Sequence, residues 1–364
     1  MNETRAILDA YSQARARGGA CALATVTHVE GSSYRRVGAR MLVVDDGAWI
    51  GCVSGGCLER DLLRKAAWTM ESGESLLAAY DTREDGDGPR APGAGLGCNG
   101  VIEILLEPIP AGGSHAVLDV MSRCVPARRS CGMILFPHDR SAPAITWEDE
   151  ELPAGVRGDL SRVWAENRGR SRAVGMDRPI DGELRRIFLE ILRPAVQVTV
   201  IGAGYDAVAM ASLGVHLGHD VTVVDFRSGL PIPRRAFDGI ARYIQCLPSE
   251  LADHLSVDWR SVVIVMTHQA QDDLAVLPWL VDSRPAYLGL LGPRKRARKL
   301  LAACGREDAL EQANVHAPIG LDLGSETPTE IALSVFAEIQ ATAHGHAGGS
   351  LRDLAGPIHA RSCA

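Results

Sequence analysis

Two short turns that combine glycine and cysteine lie near the N-terminus of the sequence. They are Ser54-Gly55-Gly56-Cys57-Leu58-Glu59 and Gly95-Leu96-Gly97-Cys98-Asn99-Gly100. Apolar residues recur at helical spacing from Leu58 to Met70, which places Cys57 at or beside a helix N-terminus, where the helix dipole favours a thiolate. Glycines around Cys98 let a ligand approach the backbone closely. Both cysteines are therefore predicted to be reactive thiols; the alternative is two small buried residues in tight turns.

A glycine-rich turn of a different kind follows Pro194. The apolar run Val196–Ile201 leads into Gly202-Ala203-Gly204-Tyr205-Asp206-Ala207, and the next predicted strand, Val221–Val224, ends at Asp225. Strand, GxGxxA turn, helix, strand and acid stand in the order of the dinucleotide-binding fingerprint. Asp225 is predicted to accept a hydrogen bond from a ribose hydroxyl, while the helix N-terminus faces a pyrophosphate. The alternative is a Rossmann scaffold that uses this turn for packing alone.

Polar residues follow two further predicted strands, Val262–Met266 and Ala286–Leu290. In open parallel sheets the ligand binds outside the carboxyl ends of the strands. The residues at these ends are His268 after the first strand, and Gly292, Arg294 and Arg296 after the second. We predict that His268 contacts a ligand and that Arg294 and Arg296 hold a phosphate. A histidine that caps the next helix and a solvated basic helix face are the alternatives.

The composition limits the class of protein. A chain of 364 residues exceeds what one core usually holds, so two domains are expected. The net charge of -7 argues against a nucleic-acid-binding surface, and no apolar run is long enough to span a bilayer. The polar first helix lacks the apolar stretch of a signal peptide, so a cytoplasmic location is predicted. The 9 cysteines show neither a disulfide framework nor zinc-ligand spacing.

These elements predict an α/β protein with an N-terminal mixed α+β domain and a C-terminal Rossmann-like domain built on a doubly wound parallel sheet. The predicted segments are residues 1–110 with both cysteine turns, an elaboration and linker over 111–193, the Rossmann-like domain over 194–345 and a flexible tail over 346–364. In the first segment, strands are predicted at Ala22–Val29, Met41–Val44 and Val101–Glu107. The charged, glycine-rich and proline-rich stretch Asp81–Ala94 is predicted to be a surface loop that covers the second cysteine turn.

With these residues in view, the chain resembles the xanthine dehydrogenase accessory family, also called XdhC/CoxI. The N-terminal motifs that carry the resemblance are Ala24-Thr25-Val26, Glu30-Gly31-Ser32-Ser33, Arg36, Gly38-Ala39-Arg40-Met41, Ser54-Gly55-Gly56-Cys57 with Glu59, and Gly95-Leu96-Gly97-Cys98. The C-terminal motifs are Gly202-Ala203-Gly204, Val265-Met266-Thr267-His268, Gly289-Leu290-Leu291-Gly292 and His316-Ala317-Pro318-Ile319-Gly320-Leu321-Asp322. The sequence departs from the family pattern at Tyr34, where proline is usual, and at Asn99, where glycine is common.

The resemblance implies a maturation factor rather than a turnover enzyme. Such a factor binds molybdenum cofactor, helps it to acquire a terminal sulfur from a cysteine desulfurase, and delivers it to an apo xanthine dehydrogenase-type molybdoenzyme. Cys57 and Cys98 would then contact the soft molybdenum or its sulfido ligand. The other implied cofactor-binding residues are Arg36, Gly55, Gly56, Glu59 and Gly97, followed by Gly202, Gly204, Asp225, His268, Gly292 and Arg294.

Other functions stay open at this point. The Rossmann crevice would suit the nucleotide half of a cytosine dinucleotide form of the cofactor, with the cysteine turns facing the molybdenum. The fingerprint and Asp225 would also suit an NAD(P)-dependent oxidoreductase, since this fold is widely reused. A scaffold that only docks desulfurase and client is the third alternative. A homodimer is the default expectation for an intracellular protein of this kind.

Overall fold

The structure is a computed structural model that describes residues 2–31, 33–81, 100–126, 130–138, 145–146, 156–166, 172–180, 182–229, 232 and 234–354. The chain divides into two compact units, Met1–Pro194 and Ala195–Ala364. In the described parts of the chain, no helix is both long enough and apolar enough to cross a membrane. The finer division of the sequence into four segments stays a prediction, and the end of its tail, residues 355–364, lies outside the described residues.

The first unit contains two antiparallel sheets and the helices that pack on them. Its elements are α1 (Asn2–Ala16), β1 (Cys21–Gly31), β2 (Arg40–Val44), β3 (Trp49–Gly51), α2 (Glu59–Ser72), β4 (Leu76–Asp81), β5 (Gly100–Ile109), α3 (Ala116–Cys124), β6 (Cys131–Leu135), β7 (Ile145–Thr146), α4 (Val156–Glu166), β8 (Arg172–Ile180) and β9 (Glu183–Leu192). The sheets have the strand orders β3-β2-β1-β5-β4 and β7-β6-β9-β8. The unit is therefore mixed α+β, as predicted.

The central strand β1 separates two hydrophobic cores because its side chains alternate between the faces of the sheet. Leu23 packs with residues of α1 and α3, whereas Ala22 and Ala24 pack with Leu62 and Ala66 of α2. Helix α2 thus lies flat on one face of the first sheet. This packing fixes the position of its N-terminus, and with it the position of the cysteine turn that precedes the helix.

The stretch predicted to be a polar elaboration contains ordered strands. β9 begins at Glu183, and β8 pairs with it from Arg172 onward. The halves of β8 and β9 next to their connecting turn are polar and partly exposed. There, Asp177 forms an ion pair with Arg186 directly across the ladder. A hydrophobic pattern alone misses such strands, because polar and charged residues interrupt the apolar ones that pack in the core, such as Met176 and Ile180 of β8.

The second unit is a doubly wound parallel sheet, as predicted. Its elements are β10 (Gln197–Ile201), α5 (Tyr205–His216), β11 (Asp220–Asp225), β12 (Arg242–Gln245), α6 (Leu251–His254), β13 (Val262–Val265), α7 (Ala270–Asp282), β14 (Tyr287–Leu290), α8 (Arg294–Ala303), β15 (Val315–His316) and α9 (Pro328–Ala343). The strand order is β12-β11-β10-β13-β14-β15. One core packs against α7 and α8, and the other against α5 and α9.

The strand order of this sheet places a topological switch point between β10 and β13. The chain leaves β10 in one direction to build β11 and β12, and it builds β13 to β15 on the other side. Ligands of doubly wound sheets bind at such a switch point, at the carboxyl ends of the strands. The turn after β10 and the segment after β13 therefore border the expected crevice of this unit.

Candidate functional site

The Cys57 turn connects β3 to α2 and presents its middle residues to solvent. Val53, Ser54 and Leu58 are buried, whereas Gly55, Gly56 and Cys57 are exposed. Gly55 and Gly56 have φ values of 77° and 111°, a region that glycine adopts without steric cost. A Cβ atom placed on Gly56 would meet no atom within 4 Å, so the space beside Cys57 is open.

The carboxylate of Glu59 holds this turn in shape. Its side chain lies at the start of α2 and is turned back toward the loop, and the residue is 7% exposed. The groups that donate hydrogen bonds to it are the backbone N–H groups of Val53, Ser54, Gly56 and Leu58, the Ser54 hydroxyl and the Cys52 thiol. Burial acts to raise the pKa of Glu59, but these hydrogen bonds outweigh it and lower the pKa to about 2.

Glu59 was predicted to be a cofactor-binding residue, and both of its oxygens are engaged with the loop itself. Oε1 accepts from the Ser54 N–H at 2.9 Å, and Oε2 accepts from the Gly56 N–H at 2.8 Å. The carboxylate thus occupies N–H groups that would otherwise face a ligand. What the geometry offers to a ligand at this turn is the exposed thiol of Cys57 and the open space over Gly56.

A second cysteine of the same loop was not singled out from the sequence. Cys52 is partly buried; its sulfur accepts a hydrogen bond from the Gly55 N–H at 3.0 Å, and its thiol donates to Glu59 Oε1 at 3.4 Å. These contacts bridge the two ends of the turn. The Gly-Cys pattern that marked Cys57 does not include Cys52, and its only sequence signal is its spacing of five residues from Cys57.

The polar loop after β1 lies against the cysteine turn. The ring of Tyr34 is in contact with Gly55, since a Cβ atom on that glycine would be 2.6 Å from the ring. Glu3 joins the two loops from α1: one oxygen accepts from the Cys52 N–H at 3.0 Å, and the other forms an ion pair with Arg35. Arg36, the predicted cofactor-binding arginine, is exposed in this loop.

The sequence also predicted a second cysteine turn, which ends at Gly100, the first residue of β5. Gly97 and Cys98 lie outside the described residues, as does the predicted surface loop apart from Asp81. Among the described residues, no group of three or more His, Cys, Asp or Glu side chains is arranged to hold a metal ion. Within this part of the chain, Cys57 is the exposed thiol of the N-terminal site, on a loop that hydrogen bonds have already ordered, and Cys52 of the same loop is partly buried.

In the second unit, the structure brings the predicted turn residues and His268 together. A Cβ atom on Gly202 would lie 2.5 Å from the carbonyl oxygen of Met266, so only glycine lets β10 and the end of β13 approach this closely. Gly204 faces the His268 ring, whose Nε2 would be 3.3 Å from such a Cβ. His268 is exposed, has φ 62°, and precedes the N-cap residue Gln269, so it does not cap α7.

Asp225 lies at the end of β11 and is bound by an arginine that the sequence motifs did not indicate. Arg227 donates to Asp225 from Nε at 2.8 Å and from Nη2 at 2.9 Å, and its Nη2 also donates to the carbonyl of Ala203 in the glycine turn. Tyr243 Oη donates to the same carboxylate at 3.4 Å. The signal that would have found Arg227 is its position two residues after the fingerprint acid.

A second ion pair joins the two helices that follow β13 and β14. Asp273 in the first turn of α7 is 3% exposed, accepts from Thr267 Oγ1 at 2.6 Å and pairs with Arg296. Arg296 is thus already paired within the protein. The pKa of the neighbouring Asp272 is raised, first by burial and then by the negative charges of Asp273 and Asp225.

The end of β14 contributes the remaining predicted residues. Gly292 has φ 117° and leads into α8, whose first residue, Arg294, is exposed. Arg298 and Lys299 are exposed on later turns of α8, as a solvated face would be. The crevice therefore contains the glycine turn, His268 and the Asp225–Arg227 pair, with the Asp273–Arg296 pair beside them.

Comparisons with known proteins agree with this architecture. The profile described as the XdhC and CoxI family matches residues 14–81, and the profile described as the XdhC Rossmann domain matches residues 198–339. A crystal structure from Bacillus halodurans, described as a xanthine dehydrogenase, shares the fold with a TM-score of 0.71 and 24% identity, over 93% of this chain and 96% of that one.

Two curated relatives align along most of the chain. A Bacillus subtilis (strain 168) protein, named as a probable xanthine dehydrogenase subunit, is 28% identical over 327 residues, which are 88% of this chain and 92% of the relative. Molybdenum cofactor insertion chaperone PaoD of Escherichia coli (strain K12) is 25% identical over 342 residues, 93% of this chain and 88% of PaoD. Because two profiles of one family match both units in order, the chain belongs to the XdhC and CoxI family.

Proposed function

We propose that this chain is a molybdenum cofactor-binding maturation factor that supports insertion of the cofactor into a xanthine dehydrogenase-type molybdoenzyme. The observation that carries the proposal is the exposed thiol of Cys57, at the tip of a loop that Glu59 holds in one shape. The relative PaoD is named as an insertion chaperone, and a second relative is named as a probable xanthine dehydrogenase subunit. The role proposed is accessory rather than that of a turnover enzyme.

The residues at this turn fit such a ligand. Thiolate is a soft donor and suits molybdenum and its sulfido ligand, and the open space over Gly56 admits a bulky group beside Cys57. Arg36 is exposed in the neighbouring loop and offers a guanidinium to the phosphate of the cofactor. When bound, the cofactor supplies a redox-active molybdenum centre with an exchangeable sulfur ligand.

The chain's own contribution is binding, orientation and release. Glu59 and Ser54 fix the backbone from which the Cys57 side chain projects, so that little conformational entropy is lost when the thiol engages its ligand. Few protein contacts to the metal favour transfer, because each must be broken to release the cofactor; the described residues contain no group of three or more ligands that would retain it.

The finer parts of the proposal concern partners and cofactor form. Sulfur would come from a cysteine desulfurase, with Cys98 as a second thiol, and the carrier would act as a homodimer. The cytosine dinucleotide form would place its pyrophosphate at the Gly202–Gly204 turn. A cytoplasmic location keeps the Cys57 thiol reduced, which the proposed role requires.

The proposal is tested by the molybdenum and oxidised-pterin content of the protein, purified without oxygen from a host that makes the cofactor. We expect near-stoichiometric metal and pterin in the parent and a severalfold lower content in Cys57→Ser. Activation of an apo xanthine dehydrogenase-type enzyme should fall in parallel. Cys57 is exposed, so the substitution should leave the free energy of unfolding within about 0.5 kcal/mol.

Cys304→Ser provides a matched control in the second unit. Its thiol is partly exposed and donates to the backbone carbonyls of Leu300 and Leu301 in α8. It should keep its full molybdenum and pterin content. Equal cofactor content and equal client activation in Cys57→Ser and Cys304→Ser would contradict the proposal.

A further inference from the structure

The fingerprint acid of the second unit has no acceptor left for a ribose. Asp225 Oδ1 accepts from the Arg227 N–H at 3.2 Å and from its Nε at 2.8 Å, while Oδ2 accepts from Nη2 at 2.9 Å and from Tyr243 Oη at 3.4 Å. A carboxylate offers about four lone-pair sites, and these four donors fill them. The Asp225 side chain is also only 2% exposed. A ribose hydroxyl therefore finds neither an acceptor nor a path to it.

The guanidinium of Arg227 is the group that faces the crevice instead. Its Nη2 donates to the carbonyl of Ala203 at 3.0 Å, which places it at the Gly202–Gly204 turn. The side chain is 25% exposed, and Nη1 makes no hydrogen bond to any residue in the described part of the chain. The contacts of Nε and Nη2 fix the plane of the guanidinium, so the Nη1 donors are preorganised for an incoming group.

We infer that Arg227 binds a phosphoryl oxygen of a nucleotide in this crevice, and that Asp225 is a positioning residue for Arg227 rather than a ribose ligand. A guanidinium with two free donors suits a phosphate oxygen, because the hydrogen bonds are charge-assisted. The adjoining N-terminus of α5 adds unpaired N–H groups of the same polarity.

This role of Arg227 goes beyond the proposed function and does not depend on Cys57. Molybdenum content, pterin content and client activation test the proposed function, whereas nucleotide binding to the second unit of the full chain tests the role of Arg227. A result that contradicts one of these two proposals therefore does not contradict the other.

The test is calorimetric titration of the full-length protein with four nucleotides: CDP, 2′-deoxy-CDP, NAD+ and NADP+. CDP and 2′-deoxy-CDP should bind within about threefold of each other, because no acceptor on Asp225 reads the 2′-hydroxyl. Arg227→Ala should lower the affinity for the nucleotides that bind by about 10- to 100-fold, the usual effect of losing a charge-assisted contact. Affinity should fall with added salt in the parent, and the slope should be shallower in Arg227→Ala.

The pattern of loss distinguishes the two sources of the phosphate. An equal loss for NAD+ and NADP+ places Arg227 at the pyrophosphate, which both contain. A larger loss for NADP+ places it at the ribose 2′-phosphate. Asp225→Asn should weaken the binding of the same nucleotides with the same salt dependence. An amide accepts from Nε and Nη2 of Arg227 less well than the carboxylate does, while Arg227 keeps its charge.

Two further variants keep the inference falsifiable if Arg227→Ala fails to fold. Arg227→Lys retains the charge without the fork and should show an intermediate affinity. Asp272→Asn removes a negative charge whose field reaches Arg227, and it should strengthen phosphate binding severalfold. If the Asp272 carboxylate instead accepted a hydrogen bond from the ribose, Asp272→Asn would weaken nucleotide binding.

The matched control is the surface pair of Arg306 and Asp282. Arg306 uses the same two atoms, with Nε at 3.1 Å and Nη2 at 2.7 Å from the carboxylate, at an exposed site. Arg306→Ala should leave all four titrations unchanged. The inference is overturned if the parent binds none of the four nucleotides, if Arg227→Ala binds them as well as the parent does, or if 2′-deoxy-CDP binds about tenfold more weakly than CDP.

Discussion

Replacing Glu59 by Gln should loosen the cysteine turn strongly while changing no atom of Cys57. The pKa of Glu59 is lowered from an ordinary 4.5 to about 2, because hydrogen bonds from Ser54 and the loop backbone outweigh the effect of burial. A difference of this size corresponds to about 3 kcal/mol at neutral pH. In Glu59→Gln the amide Nε2 faces backbone N–H donors whichever way it is placed, so the hydrogen bonds to that one position are lost, and those to the remaining oxygen lose their charge assistance.

The pH dependence of this effect has a definite sign. The pKa of Glu59 is lower in the folded than in the unfolded protein, so ionisation stabilises the fold fully above pH 4.5. The contribution is lost as the pH falls from 4.5 toward about 2. The free energies of unfolding of the parent and of Glu59→Gln should therefore differ by about 3 kcal/mol at pH 7 and converge across that acid range.

Urea unfolding at a series of pH values measures the difference, and hydrogen exchange at pH 7 locates it. The amides of Ser54, Gly56 and Leu58 should lose protection in Glu59→Gln, since each donates to the carboxylate in the parent. Glu71→Gln is a matched control on the exposed face of α2 and should change the free energy of unfolding by less than about 0.5 kcal/mol. Unchanged protection of the loop amides, or a difference that stays constant into the acid range, would refute the reasoning.

Four other substitutions, in three tests, probe the packing of the two units. Gly202→Ala should destabilise the second unit by more than about 2 kcal/mol in urea unfolding, because its φ is 115° and its new Cβ would lie 2.5 Å from the Met266 carbonyl; a smaller loss would mean that the backbone relaxes. Glu190→Gln should cost about 3–5 kcal/mol because it leaves Arg40 buried without its partner, and Arg40→Met in the same chain should restore much of the loss. Thr327→Ala should lower the free energy of unfolding by about 1 kcal/mol in the same assay, through loss of the α9 N-cap. An unchanged free energy of unfolding would mean that the N-cap does not stabilise α9.

The regular parts of the fold could be predicted because their signals are local. A run of β-prone residues indicated β1, a strand was also predicted at the position of β5, and the GxGxxA turn with its flanking strands indicated the parallel sheet. The start of α9 carries equally local signals, with Thr327 as the N-cap, Pro328 in the first turn and Glu330 completing a capping box. Strand β8 was missed because charged residues interrupt its apolar positions, and its pairing with β9 is a contact that the sequence pattern does not reveal.

At both candidate sites, residue order alone specifies which side chains are present: Cys57 after two glycines at the start of a helix, and a fingerprint turn followed by Asp225. Which of the neighbouring groups a ligand can reach depends on the fold. The acceptors of Glu59 are taken by the loop and those of Asp225 by Arg227 and Tyr243, so the exposed thiol and the guanidinium remain to face outward. The reason is that a buried carboxylate must be satisfied by whichever donors the fold brings within about 3 Å, and those donors are set by backbone geometry that residue spacing does not encode.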